Sequence, residues 1–216
     1  MAKALENGYT GDKILLPDQI PRALSGDFEG FKYFFEECLL LQDRDTRQYV
    51  HPTMNKGQEM IAKTIMGYID HNTRAESHKE CVICGPRQFG KSTLLTAIAN
   101  YIISYVPGFE NLNLVTTMHQ AAAATKFFKQ KLEPIITNIP KEIFPTIERE
   151  TVGTSTLLKY TDIKGIKRGG YYEITSAGSN SVRSGTVSVW LCDEPSEYRN
   201  PEAVEDAVSG AISSYG

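Results

Sequence analysis

Apolar positions along the chain fall into two alternating patterns. In one pattern they recur every three or four residues, which is typical of helices that bury one face. In the other they form short continuous runs, which are typical of buried strands. The helical pattern covers residues 27–41, 56–70, 91–106, 118–136 and 201–213, and the strand pattern covers residues 81–84, 112–117 and 187–192. This alternation predicts an α/β fold, in which a central, mostly parallel sheet is flanked by helices.

Two of the predicted helices have a well-defined apolar face. Asp27 precedes the first of them and can cap its backbone N–H groups. The predicted buried face of this helix consists of Phe31, Phe34, Phe35, Cys38 and Leu39. The predicted face of the second helix, at residues 56–70, consists of Met60, Ile61, Thr64, Ile65 and Tyr68. We expect the aromatic face of the first helix to serve packing rather than ligand binding.

Two other segments depart from the alternation. Residues 1–26 are punctuated by proline and glycine, which predicts an extended arm. Residues 148–175 contain short β-rich pieces around a basic turn, which predicts a meander or hairpin on the sheet. We therefore divide the chain into an N-terminal arm with a helical appendage, residues 1–50, and a core, residues 51–216.

Composition narrows the class of protein without identifying it. The 216 residues are 41% apolar and carry a net charge of −3, which is ordinary for a globular domain and argues against one that coats nucleic acid. There is no run of 18 apolar residues, so no membrane span is expected. Four cysteines fit a reducing compartment such as the cytoplasm. Cys81 and Cys84 are more typical of a buried strand than of a redox or zinc pair, because no second pair has metal spacing.

The most specific motif is GPRQFGKS at residues 85–92, between a predicted strand and a predicted helix. It matches G-x-x-x-x-G-K-[ST], the loop that holds nucleotide phosphates. Gly85 and Gly90 let the backbone wrap closely, and the positive end of the helix faces the phosphates. Lys91 adds a charge at the β- and γ-phosphates, and Ser92 can ligate Mg²⁺. The predicted phosphate-site residues are Gly85, Pro86, Arg87, Gln88, Phe89, Gly90, Lys91, Ser92 and Thr93.

A second motif, Asp193-Glu194, follows the predicted strand at residues 187–192. An apolar strand that ends in two carboxylates is typical of the other half of a phosphate-loop ATPase. Asp193 is predicted to hold Mg²⁺, and Glu194 to orient or deprotonate the attacking water. The intervening strand at residues 112–117 favours the additional-strand, catalytic-glutamate class of P-loop NTPases. The sequence therefore predicts Mg-dependent hydrolysis of ATP by a P-loop ATPase core at residues 51–216.

These motifs resemble those of the large terminases of tailed bacteriophages, which are DNA-packaging motors. GPRQFGKST at residues 85–93 has an arginine where the family often has one. SVRSGTVSVWLCDEPSEY at residues 181–198 is similar to the family's arginine loop and acidic strand end. Gln58, at the start of a predicted helix, resembles the glutamine with which the family recognises adenine. The resemblance covers roughly residues 50–216.

The resemblance implies a function and a set of partners. Such a domain hydrolyses ATP to drive double-stranded DNA into a procapsid, and its partners are a portal protein and a small terminase subunit. The resemblance also implies a homo-oligomeric ring on the portal, which is a pentamer in the family, or a monomer in isolation. It implies a viral protein of the host cytoplasm that contacts no membrane.

For three side chains the sequence is compatible with two different roles. The amide of Gln58 can pair with the N6 and N7 edge of adenine, or it can be an exposed residue at a helix start. Arg87 can reach the γ-phosphate of its own subunit, or it can pair with a neighbouring acid. Arg183 lies one strand length, about 20 Å, before Glu194. It can act in trans as an arginine finger, or it can contact DNA phosphate or solvent. The predicted catalytic residues are therefore Lys91, Arg87, Arg183 and Glu194.

The chain departs from the family pattern in several ways. Ser184 separates Arg183 from Gly185, where the family often has the two adjacent. Neither the family's coupling motif nor its RNase H-like nuclease domain follows within the 216 residues. We therefore expect no nuclease activity, and either a fragment of a longer protein or one part of a split motor. Two other functions stay open, namely the ATPase lobe of a DExx-type helicase or DNA translocase, and a nucleotide switch without catalysis.

Overall fold

The computed structural model describes residues 3–4, 15–43, 45–71, 83, 89–152, 155–163, 165–176, 187–192, 200 and 202. Its helices are α1 (Gln19–Ala23), α2 (Phe28–Tyr33), α3 (Lys56–His71), α4 (Lys91–Tyr105), α5 (Ala121–Phe127) and α6 (Glu133–Thr137). A π-helical segment, Phe34–Cys38, extends α2, and a second, Phe128–Leu132, joins α5 to α6. Its strands are β1 (Lys3–Ala4), β2 (Leu41–Gln42), β3 (Tyr49–Val50), β4 (Asn113–Met118), β5 (Thr146–Val152), β6 (Ser155–Ile163), β7 (Ile166–Lys167), β8 (Tyr171–Ser176) and β9 (Val189–Cys192).

The central sheet has the strand order β1-β5-β6-β8-β4-β9, with β7 beside β6. Strand β4 is parallel to both β8 and β9, whereas the other pairings of this sheet are antiparallel. The described sheet is therefore mixed, and the predicted mostly parallel arrangement is correct only around β4. The physical reason is that β5, β6 and β8 follow one another through short connections, which allow antiparallel neighbours but not parallel ones. The predicted meander is thus part of the main sheet.

Three strands end at the same edge of this sheet. Thr117 near the end of β4 pairs with Cys192 of β9, and Met118 pairs with Ser176 of β8. Because the three strands are parallel, their carboxyl ends share this edge, which we call the carboxyl edge. Bound ligands of open α/β sheets commonly lie beyond such an edge.

Helix α4 runs antiparallel to these three strands. At its C-terminal end, the buried guanidinium of Arg168 donates from Nη1 to the Val106 carbonyl oxygen at 3.3 Å. A Cβ added at Gly170 would lie 3.3 Å from Ile103 Cδ1 and 2.4 Å from the Leu112 carbonyl oxygen. These residues precede β4 and β8 directly, so the C-terminal end of α4 lies at the amino ends of the strands. Its first residue, Lys91, therefore faces the carboxyl edge.

The N-terminal helices share the hydrophobic core with α4. Phe34 lies 5.3 Å from Tyr101 and 5.4 Å from Tyr105 between ring centroids, and Phe31 lies 5.5 Å from Tyr101. Gly26 donates its N–H to the Tyr101 hydroxyl at 3.1 Å. Burial raises the pKa of Tyr101 to about 12, so this hydroxyl stays protonated. Contacts of this kind hold the N-terminal segment against the helix that leads from the phosphate-loop motif.

The predicted start of the first long helix is confirmed. Asp27 Oδ1 accepts the Gly30 N–H at 2.7 Å, and the helix continues through the π-helical segment to Cys38. The face that was predicted to be buried is buried, namely Phe31, Phe34, Phe35, Cys38 and Leu39.

The predicted face of α3 is wrong in part. Met60 is 66% exposed and Tyr68 is 46% exposed, whereas Ala62 and Met66 are buried. The core-facing side is therefore rotated from the predicted one. The small Ala62 lies on this side, and a small side chain lets two helices approach closely, which an apolar count does not reveal.

Most of the other predicted elements are present where they can be checked. Helix α4 and the helical stretch from α5 to α6 match the predictions at 91–106 and 118–136, and β4 matches the strand at 112–117. The arm at residues 1–26 includes the short helix α1, and Lys3–Ala4 pairs with β5. The predicted strand at 81–84, apart from Ile83, and nearly all of the helix at 201–213 lie outside the described residues. Among the described helices, none has the length and apolarity needed to cross a bilayer.

Candidate nucleotide-binding site

Gly90 forms the entrance to α4 and has a backbone that favours glycine. Its φ of 77° and ψ of 16° lie in the left-handed region, which residues other than glycine rarely adopt. Its carbonyl oxygen accepts the Leu94 N–H at 3.0 Å, which starts the helical hydrogen bonding. A Cβ added at Gly90 would also lie 2.8 Å from Gln58 Nε2. The structure therefore gives two separate reasons for the second glycine of the phosphate-loop motif.

Gln58 stands in the first turn of α3 and caps that helix together with Asn55. Asn55 Oδ1 accepts the Gln58 N–H at 3.0 Å, and Gln58 Oε1 accepts the Asn55 N–H at 2.9 Å. This reciprocal pair is a capping box, which satisfies two backbone donors at a helix start. The prediction that Gln58 lies at the start of a helix is confirmed. The role of Asn55 was not predicted, although the pattern Asn-x-x-Gln before an apolar helix is a sequence signal for it.

The same glutamine joins α3 to the phosphate-loop motif. Gln58 Nε2 donates to the Phe89 carbonyl oxygen at 2.9 Å. A Cβ added at Gly57 would lie 2.7 Å from Phe89 Cζ, so the aromatic ring packs directly on the backbone of α3. The contact of Gly57 and Gln58 with Phe89 and Gly90 is called the α3 joint below. It brings two segments that are 31 residues apart in sequence to the entrance of α4.

Lys91, Ser92 and Thr93 form the first turn of α4 on the side of the carboxyl edge. This turn contains no acidic residue, so the positive end of the helix dipole is not opposed by a carboxylate within it. Thr96 donates its hydroxyl to the Ser92 carbonyl oxygen at 2.6 Å. Lys91 adds its own positive charge to this end. The first turn is thus suited to an anion.

Lys131 reaches this turn from the second π-helical segment and was not predicted. Its Nζ donates to Thr93 Oγ1 at 3.1 Å. No local pattern indicates this contact, because Lys131 belongs to the run Lys-Gln-Lys, which resembles any solvent-exposed helix face. A π-helical segment contains one residue more than a regular turn, which changes the direction of the side chains that follow. Lys131 therefore brings a second cation near the phosphate-loop motif.

The end of β9 is anchored beside the same edge. Trp190 Nε1 donates to Thr117 Oγ1 at 2.9 Å, in addition to the parallel pairing of Thr117 with Cys192. Asp193 follows Cys192 in the sequence, so the chain leaves β9 at the carboxyl edge just before the predicted carboxylate pair. The amino end of α4 and the carboxyl end of β9 therefore lie at one edge of the sheet.

The described residues include about half of the predicted site. The structure brings Gln58, Phe89 and Gly90 together, and it places Lys91, Ser92 and Thr93 on the next turn. The other predicted residues, Gly85, Pro86, Arg87, Gln88, Arg183, Asp193 and Glu194, lie outside the described residues. Within the described ranges, no three of His, Cys, Asp and Glu group closely enough to hold a metal ion.

The carboxylate nearest in sequence to Gln58 is already engaged by lysines. Glu59 Oε1 lies 3.1 Å from Lys63 Nζ and 3.4 Å from Lys32 Nζ. Hydrogen bonds from Lys63 and then from Lys32 hold the pKa of Glu59 below its usual value. Glu59 is therefore ionised at neutral pH, and its charge is balanced by one lysine of α3 and one of α2.

A comparison of the sequence with models of known protein families identifies the family of this chain. Residues 62–211, well over half of the chain, match the model of the phage terminase large subunit gpA, ATPase domain. The chain belongs to this terminase family. A comparison with curated proteins finds no match.

The family assignment confirms the resemblance to large terminases and identifies the chain as a terminase ATPase domain. It favours the terminase interpretation over the helicase alternative, because the terminase model matches most of the chain. The matched segment includes the phosphate-loop motif at residues 85–92 and the carboxylate pair. It begins four residues after Gln58, so the α3 joint combines two residues before the matched segment with two residues inside it.

Proposed function

We propose that this terminase domain is an Mg-dependent ATPase of the additional-strand, catalytic-glutamate class, and that it drives double-stranded DNA into a procapsid. The observation that carries the proposal is that the amino end of α4 and the carboxyl end of β9 lie at the same edge of the sheet. In a phosphate-loop ATPase these two ends supply the phosphate site and the carboxylates. The family assignment supports the same activity.

The phosphate site is built from backbone and from Lys91. Gly85 and Gly90 allow the loop between them to approach the triphosphate, with successive N–H groups directed inward. The left-handed Gly90 and the first turn of α4 direct further N–H groups to the same side. Lys91 neutralises charge on the β- and γ-phosphates.

The ligands available for magnesium are of a suitable type. The Ser92 hydroxyl and the Asp193 carboxylate are hard oxygen donors, which Mg²⁺ prefers, and Ser92 is on the first turn of α4. Ser92 and Asp193 would hold Mg²⁺, which would neutralise negative charge on the triphosphate. Glu194, one residue beyond Asp193, orients the attacking water and accepts its proton. Arg87 provides a further positive charge within the loop, at the γ-phosphate.

Gln58 contributes adenine recognition in this proposal. A glutamine amide has two N–H donors and two acceptor lone pairs. Among its described contacts, one donor is used by Phe89 and one lone pair by Asn55. The second N–H and the second lone pair can pair with the N6 and N7 edge of adenine.

Arg183 acts on the nucleotide of a neighbouring subunit in this proposal. The segment that contains it leaves β8 after Ser176, which is at the carboxyl edge. It returns before Ser188, whose N–H donates to the carbonyl oxygen of Asn113, the first residue of β4, at 2.8 Å. The described ends of this segment are therefore at opposite edges of the sheet. In this role its guanidinium would neutralise charge on the γ-phosphate across a subunit interface.

The family assignment supports a motor context for the domain. We place the domain in a homo-oligomeric ring, a pentamer, on a portal protein, with a small terminase subunit as a further partner and the host cytoplasm as its compartment. Residues 1–50 form the N-terminal appendage, and residues 51–216 form the ATPase core.

Hydrolysis is tested by two substitutions that separate binding from chemistry. We expect Lys91→Ala to abolish phosphate release and to weaken ATP binding. Glu194→Gln is expected to retain ATP binding and to lose phosphate release, because only the water-activating carboxylate is changed. Lys126→Ala, which removes an exposed lysine of α5, is the matched control and is expected to behave as the wild type. Wild-type phosphate release by Glu194→Gln would remove Glu194 from its catalytic role, and no release by the wild type would favour a nucleotide switch.

Action of Arg183 between subunits is tested by mixing. Lys91→Ala subunits and Arg183→Ala subunits are combined with portal protein and DNA, and ATP hydrolysis is measured. If Arg183 acts in trans, a mixed ring contains interfaces in which an intact phosphate site faces an intact arginine, and activity returns. Full activity of rings made from Arg183→Ala alone would rule out the finger.

A further inference from the structure

The Gln58 side chain contacts the backbone of the phosphate-loop motif and restricts the orientation of one peptide group in it. Its Nε2 donates to the Phe89 carbonyl oxygen at 2.9 Å, while its Oε1 is held by the Asn55 N–H at 2.9 Å. The amide is therefore fixed from both ends, on one side by the helix cap and on the other by the loop. A side chain held in this way has little rotational freedom left to lose when a ligand binds.

The Phe89 carbonyl belongs to the same planar peptide group as the Gly90 N–H. In a trans peptide the C=O and the N–H point in opposite directions. When Gln58 holds the Phe89 carbonyl towards α3, the Gly90 N–H is turned away from α3. A donor with a fixed direction stabilises an anion without having to reorganise when that anion arrives.

Close packing prevents this peptide group from moving towards α3. Gly57 and Gly90 have no room for a Cβ, which would lie 2.7 Å from the Phe89 ring and 2.8 Å from Gln58 Nε2, respectively. The backbone of α3 and the loop are therefore already as close as these atoms allow. Rotation of the Phe89–Gly90 peptide would break the hydrogen bond to Gln58 and would require the left-handed Gly90 to change its conformation.

We propose that Gln58 is a positioning residue that anchors the Phe89–Gly90 peptide and so directs the Gly90 N–H towards the phosphate site. The role rests on the proposed function only in naming a nucleotide phosphate as the anion. It differs from adenine recognition, because an anchor of the loop acts on every nucleoside triphosphate. It also links α3 mechanically to the phosphate loop.

Gln58→Glu and Gln58→Met separate the anchor from the helix cap. Glutamate keeps an oxygen for the Asn55 N–H, and glutamate at this position of a capping box is favourable, but it cannot donate to the Phe89 carbonyl oxygen. Methionine has a similar length and no charge, and it loses both hydrogen bonds. Asn55→Ala is the matched control, because it removes half of the cap and leaves the bond from Gln58 to Phe89.

Hydrogen exchange of the nucleotide-free protein is the first measurement. We expect Gln58→Glu and Gln58→Met to raise exchange at the amides of residues 94–97, because the hydrogen bonds of α4 begin with the Leu94 N–H on the Gly90 carbonyl oxygen. Asn55→Ala is expected to raise exchange in the first turn of α3 and to leave residues 94–97 unchanged. Because no nucleotide is present, this result does not depend on the proposed ATPase activity. Unchanged exchange at residues 94–97 in both Gln58 variants would overturn the anchor.

Binding of fluorescent ATP and GTP analogues is the second measurement. We expect both Gln58 variants to bind either analogue about fivefold to tenfold more weakly, the loss that corresponds to one hydrogen bond. An additional loss for ATP alone would be the contribution of adenine recognition. Unchanged GTP binding by Gln58→Met would overturn the anchor. A loss confined to Gln58→Glu that disappears at high salt would also overturn it, because charge repulsion would then be the cause.

Discussion

Gly90→Ala tests the α3 joint through the stability of the protein without any ligand. Two costs are expected. The left-handed backbone, with φ at 77°, costs a residue with a Cβ about 1–2 kcal/mol. The new Cβ also lies 2.8 Å from Gln58 Nε2, and ordinary contacts begin at 3.4 Å, so Nε2 has to move by about 0.6 Å. Such a shift lengthens the 2.9 Å bond to Phe89 to as much as about 3.5 Å, where it is weak, and this costs up to about 1 kcal/mol more.

Two other glycines provide the control for this substitution. Gly108 and Gly165 both have a φ of 84°, and nothing lies within 4 Å of a Cβ added at either position. Gly108→Ala and Gly165→Ala therefore carry the backbone cost alone, about 1–2 kcal/mol each. We expect Gly90→Ala to lower the free energy of unfolding by about 2–3 kcal/mol, measured by urea denaturation.

A double substitution identifies the source of the difference. In a Gln58→Ala background the atom that the new Cβ would meet is gone, so the further cost of Gly90→Ala is expected to fall to the level of Gly108→Ala. This is a double-mutant cycle between two contacting residues, for which non-additivity is the expected result. If Gly90→Ala alone costs no more than Gly108→Ala, or if the two substitutions are additive, the steric account of the joint is refuted.

Two further predictions concern the cap of α2 and the second cation. Hydrogen bonds from Ser25 and then from the Gly30 N–H lower the pKa of Asp27 below 3.8, so its contribution to stability is present above that pH and is lost as the pH falls through the lowered pKa. Asp27→Asn is therefore expected to remove part of the acid dependence of the unfolding free energy between about pH 5 and 2, and an unchanged acid dependence would contradict this. The second cation is Lys131. Lys131→Met is expected to weaken ATP binding about twofold to fivefold, while the free energy of unfolding stays within about 0.5 kcal/mol of the wild-type value. Lys129→Met, which changes an exposed lysine, is expected to leave ATP binding unchanged. Equal binding by the two lysine variants would show that Lys131 has no influence on the phosphate site.

Local signals account for what could be predicted from the sequence. The helix after the phosphate-loop motif was placed within a residue of α4, because Pro107 and Gly108 end it and its apolar positions recur regularly. Asp27 was identified as a cap because a cap depends on residues three positions apart. The family was recognised from two motifs for the same reason, since each motif is a short segment with a fixed chemistry.

The features that were missed depend on residues distant in sequence. The exposed position of Met60 follows from which side of α3 meets the core, and a helix with apolar residues on several sides does not reveal this. Lys131 and Thr93 are 38 residues apart, and their contact depends on how the π-helical segment packs on α4. The mixed order of the sheet depends on β6 pairing with both β5 and β8, which alternation of apolar residues does not specify.

The α3 joint also connects the N-terminal segment to the candidate nucleotide site through a series of hydrogen bonds. Glu36 Oε1 accepts the Met54 N–H at 2.9 Å, and Asn55, the next residue, forms the cap with Gln58. Gln58 in turn holds Phe89, so hydrogen bonds lead from the extension of α2 to the entrance of α4. The aromatic cluster between α2 and α4 joins the same two elements further along α4. The helices before residue 51 therefore support the phosphate-loop motif from two sides, although sequence pattern alone separates them from it. A displacement of α2 would have to move both α4 and the start of α3, which gives a physical route by which contacts on the N-terminal segment can alter the nucleotide site.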